Sequence, residues 1–177
     1  MWFTLRKELP MLILGIDPGY AIVGWGVIDY QKSKFKTVAY GALRTPAGMA
    51  SEERLRLIYE GLCEIIKTYH PDAMAIEELF FNTNITTGIR VAEARGVLLL
   101  AARQAGLEIM EYTPLQVKQS VVGYGRAEKK QVISMVTMLL GLKEAPKPDD
   151  TADALAIAIC HAHSGGSRLA AYYNKKS

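Results

Sequence analysis

Five short apolar runs, each bounded by polar or glycine-containing turns, predict five β-strands. The runs cover residues 11–16, 22–30, 35–43, 73–76 and 108–112. The first three follow one another closely, with a polar turn at 31–34, and predict an antiparallel start joined by hairpins. The fourth run leads directly into two acidic residues, Glu77 and Glu78.

Later in the chain, apolar residues recur at the three- and four-residue spacing that is typical of amphipathic helices. The predicted helices cover residues 51–69, 86–105, 114–122, 127–140 and 149–163. Strands come first, and helices then alternate with strands. This order predicts an α/β fold, a mixed five-stranded sheet flanked by helices on both faces.

The length and composition are those of one folded domain. The chain has 177 residues, of which 50% are hydrophobic and 22% are charged, and this balance excludes a disordered protein. We expect an N-terminal extension at 1–10, a folded domain at 11–163 and a flexible C-terminal tail at 164–177.

Neither membrane insertion nor export is indicated by the sequence. Apolar runs such as 97–102 are far shorter than the ~20 residues that span a bilayer. Residues 1–10 are too short and too charged for a signal peptide. Cys63 and Cys160 are too few for a disulfide scaffold. We therefore expect a cytoplasmic protein with reduced cysteines and no membrane partner.

Positive charge is concentrated in one part of the chain. The net charge is only +3, but residues 113–147 contain six lysine or arginine residues and two glutamates. A basic segment of this kind suits binding to a phosphate backbone. A solvated surface helix with its loop has the same composition, so the charge alone does not choose between these alternatives.

Four acidic residues stand where ionised side chains are costly. Asp17 ends the first strand, Glu77 ends the fourth, and Asp150 and Asp153 begin a strongly apolar helix. Unpaired buried carboxylates are unfavourable, and no cation adjoins these acids in the local sequence. Magnesium prefers oxygen ligands and would neutralise several carboxylates at once. Four of them can hold two ions for phosphoryl displacement.

The residues alone leave several assignments open. Each acid also has a simpler explanation, as a turn residue, a helix cap or a solvated strand end. Either Asp149 or Asp150 can share a helix face with Asp153. Glu77 and Glu78 point to opposite faces of a strand, so only one of them can join the site.

Several short blocks, in this order and spacing, resemble the RuvC-type Holliday junction resolvases, bacterial endonucleases of the ribonuclease-H-like superfamily. The blocks are 15–19, 75–80, 116–119, 121–123, 127–129 and 150–158. The resemblance covers about residues 11–163 and implies a ribonuclease-H-like fold. This chain departs from the family pattern in its extension at 1–10, in Glu78 where a neutral residue is usual, and in Lys130 beside Lys129.

The resemblance implies that Asp17, Glu77, Asp150 and Asp153 are the catalytic acids and that they bind two Mg²⁺ ions, with Mn²⁺ as a substitute. A water activated by one ion would attack the phosphate in line. The second ion would stabilise the leaving 3′ oxygen, so the products carry a 5′-phosphate and a 3′-hydroxyl.

The resemblance also implies a set of DNA-binding residues. These residues are Phe80, Lys118, Lys129 and Lys130. Phe80 would stack on unpaired bases near the crossover. Core packing is the alternative for Phe80 and Phe81, and we expect it for one of the pair. Lys118 or Lys129 would stabilise charge on the phosphate in the transition state.

The implied function is resolution of Holliday junctions, in homologous recombination and DNA repair. Family members act as homodimers, so that two sites make paired symmetric nicks in opposing strands of a four-way junction. We expect the helix at 86–105 to contribute to the dimer interface. The branch-migration helicase complex of the same pathway is a further expected partner.

Other functions remain possible from the residues. An actin-like or sugar-kinase-like domain has a similar phosphate turn, but 177 residues leave no room for the second domain it needs. A junction-binding protein without catalysis would not need all four acids. A nuclease for RNA–DNA hybrids would need the same acids, and only the family resemblance favours the junction enzyme over it. His161 and His163 point to different faces of the last helix, and we expect both to be surface or capping residues.

Overall fold

A computed structural model describes residues 11–79 and 85–174, with side chains as far as Ser164. The extension at 1–10 and the candidate stacking residue Phe80 lie outside the described residues. The elements are β1 Met11–Asp17, β2 Ile22–Gln31, β3 Lys34–Arg44, α1 Ser51–Tyr69, β4 Ala73–Glu77, α2 Ile85–Gln104, β5 Glu108–Tyr112, α3 Pro114–Val122, α4 Lys129–Leu139 and α5 Asp149–Asn174.

The five strands form one sheet in the order β3-β2-β1-β4-β5. The pairs β1–β2 and β2–β3 are antiparallel, whereas β1–β4 and β4–β5 are parallel. The predicted mixed sheet and its antiparallel start are therefore confirmed. The β2–β3 turn places Lys32 and Ser33 at positive φ values of 50° and 62°, the backbone twist that matches a tight hairpin.

Helices cover both faces of the sheet, as predicted. Leu14, Ile16 and Met74 point to one face and pack with α1 and α2. Ile13 and Ala75 point to the other face and pack with α3, α4 and α5. The alternation along β1 and β4 thus separates two apolar cores, and α5 is the central helix of the second one.

Glycines on β1 and β2 let α5 lie directly on the sheet. Gly15 is paired with Gly26, and Gly24 is paired with Asp17. A Cβ atom on Gly15 would lie 2.0 Å from the Ala154 carbonyl oxygen, and one on Gly24 would lie 2.0 Å from the Asp150 carbonyl oxygen. Only a residue without a side chain permits this approach, which brings the start of α5 to the end of β1.

Two helices differ from the prediction by more than one residue at one end. The helix predicted at 127–140 spans Lys129–Leu139, because Glu128 is its N-cap and exchanges capping hydrogen bonds with Gln131. The last helix was predicted to end at 163, but its backbone continues to Asn174. The two glycines that follow weaken a helix by ~1 kcal/mol each and do not end it by themselves.

Of the described helices, none is sufficiently long and apolar for a membrane crossing. Cys160 is buried, Cys63 is half-buried, and both are free thiols. Their free state agrees with the prediction that the chain is not a disulfide scaffold.

Candidate active site

Two of the predicted acids lie at the carboxyl ends of neighbouring strands. Asp17 ends β1 and Glu77 ends β4, and these parallel strands place Ile16 opposite Ile76. Side chains alternate between the faces of a sheet, so Asp17 lies on the same face as Gly15, which α5 covers. The same alternation places Glu77 on that face as well.

The first turns of α5 bring the other two acids to the same place. Asp153 lines a cleft of about 250 Å³ together with Asp17 and Glu77. Asp150 does not line this cleft, but its charge acts on both Asp17 and Asp153. The structure thus brings all four predicted acids together, and three of them border the cleft directly.

The tertiary structure distinguishes the two ambiguous pairs. Glu77 lines the cleft, whereas Glu78 is not among its lining residues and donates its backbone N–H to the Tyr112 carbonyl oxygen at 2.9 Å. The Asp149 side chain is 61% exposed. Of Asp149 and Asp150, only Asp150 is among the charges that act on Asp17. The geometry therefore favours Glu77 and Asp150.

Burial and mutual repulsion make the acids hard to ionise. Burial, together with the charges of Asp153, Glu77 and Asp150, raises the pKa of Asp17 from 3.8 to about 8. Burial and the charge of Asp153 raise the pKa of Glu77 from 4.5 to about 7. Burial also raises the pKa of Asp153. Additional positive charge would therefore stabilise the ionised form of the cluster.

Two of the predicted lysines border the same cleft. Lys118 on α3 and Lys129 at the start of α4 both line it. The Lys129 ammonium lies 3.1 Å from the Asp153 carboxylate, and the charge of Lys118 opposes the raised pKa of Glu77. Lys130 is not among the lining residues and instead borders a groove on the outer side of α4.

The donor set fits a hard divalent cation. In the part of the chain that the structure describes, no three acidic, histidine or cysteine side chains are already close enough to enclose one metal ion. All the candidate ligands are carboxylates, which Mg²⁺ and Mn²⁺ prefer. The raised pKa values of Asp17 and Glu77 show that a cation would relieve the repulsion in this cluster.

Arg95 on α2 supports the end of β4, a role that no sequence motif indicated. Its Nε donates to the Glu77 carbonyl oxygen at 3.2 Å, and its guanidinium pairs with Glu111 of β5 at 2.5 Å. The Arg95 side chain is only 13% exposed. No local signal distinguished Arg95 from other charged residues of α2, such as Arg90 and Glu93, because its burial depends on partners from two strands.

One expectation about the histidines is wrong. His161 is buried, and its Nδ1 shares a hydrogen bond of 2.8 Å with the Tyr112 hydroxyl. Tyr112 supplies the polar partner that allows an imidazole to enter the core. His163 is exposed, as expected, and its Nδ1 lies 3.1 Å from the Ser120 hydroxyl.

Comparison with known proteins indicates the family to which this chain is similar. The family model described as crossover junction endodeoxyribonuclease RuvC matches residues 13–161. A relative with that description from Alkaliphilus metalliredigens is 63% identical over 155 residues, which are 88% of this chain and 94% of the relative. One from Clostridioides difficile is 62% identical over 154 residues, which are 87% of this chain and 91% of the relative.

The fold agrees with the same family. The structure of Thermus thermophilus RuvC in complex with Holliday junction substrate matches with a TM-score of 0.84 and 38% sequence identity. The match covers 88% of this chain and 94% of that protein. The ribonuclease-H-like fold expected from the sequence is therefore confirmed. On the family model, the sequence relatives and the fold together, the chain belongs to the RuvC family of crossover junction endodeoxyribonucleases.

Proposed function

We propose that this protein is a structure-selective endonuclease that resolves four-way DNA junctions by paired symmetric nicks in opposing strands. The observation that carries this proposal is the cleft in which Asp17, Glu77 and Asp153 face Lys118 and Lys129, in a chain of this family. Support also comes from the Thermus thermophilus relative, which is described in complex with a Holliday junction substrate.

The four clustered acids are the proposed ligands of two Mg²⁺ ions, which Mn²⁺ can replace. Asp17 is central among them, because the charges of Asp153, Glu77 and Asp150 all act on it. When bound, the ions supply a lowered pKa for the attacking water and charge stabilisation for the leaving 3′ oxygen, which gives a 5′-phosphate and a 3′-hydroxyl.

The lysines of the cleft have a complementary role in this proposal. Lys118 and Lys129 place two ammonium groups beside the acids, where they can bind the oxygens of the scissile phosphate. Charge that develops on those oxygens in the transition state is stabilised by preoriented cations. Lys129 is held in place by its ion pair with Asp153, so its position is set before DNA binds.

Paired nicks require two active sites, so the proposed active form is a homodimer. The outer surface of α2 carries Ile89 and Leu100, which are 52% and 54% exposed in the single chain. Exposed apolar residues on one helix suit burial between two protomers.

Phe80 is proposed to stack on unpaired bases at the crossover, and Lys130 to bind DNA outside the cleft.

The proposed place of this reaction is the cytoplasm, during homologous recombination and DNA repair. The branch-migration helicase complex that acts on the same junction is the proposed protein partner. Pull-down of the helicase with a junction-bound protein, and its failure without the junction, would support a partnership that depends on shared DNA.

Cleavage of a labelled four-way junction tests the function. With Mg²⁺, the wild type should nick opposing strands at symmetric positions and leave a matching linear duplex intact. Asp17→Asn should lose at least ~100-fold of the cleavage rate, because it removes the central proposed metal ligand, and should still bind the junction. Glu78→Gln is the matched control, because Glu78 does not line the cleft.

Three outcomes would contradict the proposal in different ways. Junction binding without cleavage in Mg²⁺ and Mn²⁺ would indicate a binding protein that lacks catalysis. Equal cleavage of the linear duplex would remove the structure selectivity. Preferred cleavage of the RNA strand in an RNA–DNA hybrid would assign the cleft to a different nuclease.

A further inference from the structure

Two lysines of the basic segment 113–147 lie outside the active-site cleft and have no role in the proposed chemistry. Lys143 and Lys147 are both exposed, in the loop that joins α4 to α5. They line a second cleft, of about 550 Å³, together with Tyr40 from β3. The Tyr40 side chain is 40% exposed, so an aromatic ring with a hydroxyl group stands beside two cations.

This second cleft is held rigidly against the first turn of α5. Pro146 in the middle of the loop is buried, which anchors the loop between the two lysines. Gly41, next to Tyr40, accepts a hydrogen bond of 3.2 Å from the Thr151 hydroxyl. Tyr40 and the loop are therefore both tied to the helix that carries Asp150 and Asp153, and little ordering is needed when a ligand binds.

The charge of the lysines is available to a ligand. Among the described residues, no ion pair involves Lys143 or Lys147, and the carboxylate that shares their cleft is Glu144. The nearby acid Asp149 already faces Lys129.

A neighbouring groove extends this basic surface towards the active site. The groove on the outer side of α4 contains Lys130 and shares Ala145 with the second cleft. Lys130 directly follows Lys129, which lines the active-site cleft. The groove thus connects Lys130, next to the active site, with the cleft of Lys143 and Lys147, and a polyanion is the ligand that cations at both ends fit.

The number of residues between Lys147 and Asp150 limits the distance between the second cleft and the active site. Lys147 precedes Asp150 by three residues, so their Cα atoms are at most about 11 Å apart. One strand of B-form DNA carries a phosphate about every 3.4 Å along the helix axis. The side chains and their contacts lengthen this span, so a phosphate held by Lys147 lies within about one turn of the duplex, ~10 nucleotides, of a phosphate at the acids.

We propose that Lys143, Lys147 and Tyr40 form a second DNA-binding site, which holds the sugar–phosphate backbone of one duplex arm close to the cut. This inference rests on the proposed function, because it requires a junction in the active-site cleft. The lysines bind phosphates, and Tyr40 contacts the backbone through its ring edge and hydroxyl.

Salt dependence of junction binding tests this site. Binding is measured without cleavage, in Ca²⁺, for the wild type, the Lys143→Gln/Lys147→Gln double variant and Lys67→Gln. Each lost phosphate contact lowers the slope of log K against log salt by ~0.9 and weakens binding about fivefold at 0.15 M salt. The double variant should therefore lose about 2 in slope and bind about 30-fold more weakly.

Lys67 is the control because it is an exposed lysine at the end of α1, on the opposite face of the sheet. Lys67→Gln should leave the slope unchanged. A double variant with the slope and affinity of the control would overturn the second site. Failure of the wild type itself to bind the junction would instead refute the proposed function, so the two failures are distinguishable.

Replacing single phosphates by neutral methylphosphonates identifies the phosphate that Lys147 contacts. Single methylphosphonates are placed at each of about ten positions on either side of the cleavage site, one turn of the duplex. Wild-type binding should weaken about fivefold at one of these positions, and Lys147→Gln should show no such loss at that position. Equal losses in both proteins at every position would overturn the assignment, because Lys147 would then touch none of these phosphates.

Discussion

Replacement of Asp17 by asparagine tests whether the acid cluster destabilises the metal-free protein. Asparagine has nearly the same shape as aspartate but no charge, so the packing around residue 17 is kept. In the folded protein, burial and three neighbouring acids raise the pKa of this carboxyl group to about 8. We therefore expect Asp17→Asn to unfold less readily than the wild type at pH 8 when metal ions are removed.

The pKa shift determines the sign of the effect. In the unfolded chain Asp17 releases its proton near pH 3.8, whereas the folded chain retains it up to about pH 8. Between these values the folded state binds more protons than the unfolded state, so the free energy of unfolding falls as the pH rises. The penalty is absent below pH 3.8 and complete above pH 8.

The same shift sets the magnitude. One pKa unit corresponds to 1.36 kcal/mol, so the wild type loses at most ~1.4 kcal/mol for each pH unit across this interval. Water at the open cleft screens part of the effect, and we expect about half of that slope. From pH 5 to pH 8 the advantage of the variant should then grow by ~2 kcal/mol.

Urea unfolding in EDTA at pH 5, 6, 7 and 8 measures these free energies. Glu78→Gln removes the neighbouring charge outside the cleft and controls for net charge. Added Mg²⁺ should stabilise the wild type by ~2.7 kcal/mol at 100 times its dissociation constant, and the variant by much less.

The pH series also shows what would refute this reasoning. An Asp17→Asn variant that is no more stable than the wild type at pH 8 would show that the ionised Asp17 carboxylate does not destabilise the folded protein. An advantage that stays constant from pH 5 to pH 8 would assign the change to packing, since a titration must depend on pH.

Three further substitutions probe the site and its support. Arg95→Gln should raise the Mg²⁺ concentration needed for half-maximal cleavage about tenfold, because the Glu77 carbonyl loses its charged donor, and Arg95→Lys should restore part of it. Gly15→Ala should lower the free energy of unfolding in urea by ~3 kcal/mol or more, because its Cβ would meet the Ala154 carbonyl. Lys129→Gln should slow single-turnover junction cleavage about 100-fold.

Each of these variants has a control substitution, its counterpart, elsewhere in the chain. Arg103→Gln changes an exposed arginine of α2 and should leave the Mg²⁺ requirement unchanged. Gly96→Ala adds a methyl group in open space on a helix and should stabilise by ~1 kcal/mol, the opposite sign to Gly15→Ala. Lys67→Gln should cleave at the wild-type rate. A variant that behaves like its counterpart would remove the role assigned to it.

The order and type of the elements could be predicted because they depend on local patterns. The apolar spacing of 51–69 and 114–122 gave the bounds of α1 and α3 that the structure shows. Glu77 at the end of a five-residue apolar strand identified a costly carboxylate without knowledge of its neighbours. These predictions succeeded because side-chain periodicity and capping act over a few residues.

Longer-range properties could not be predicted in this way. The burial of His161 depends on Tyr112, which lies 49 residues earlier in the chain. The Arg95 bond to the Glu77 carbonyl joins a helix to the end of a strand on the sheet beneath it. Neither contact leaves a periodic or spacing signal, because partners across a core are set by how the elements pack.

The candidate site shows which choices between residues local sequence patterns cannot make. The residues alone identified four costly acids and a basic segment, but they left Glu77 against Glu78 and Asp150 against Asp149 open. Only the resemblance to the family chose between them and singled out Lys118 and Lys129. The tertiary structure favours the same choices by a physical route. It assigns the face of β4 that meets α5, and the glycines of β1 and β2 let α5 approach until its acids repel Asp17. A strand or a helix turn specifies which residues share a face, and packing decides which face becomes the site.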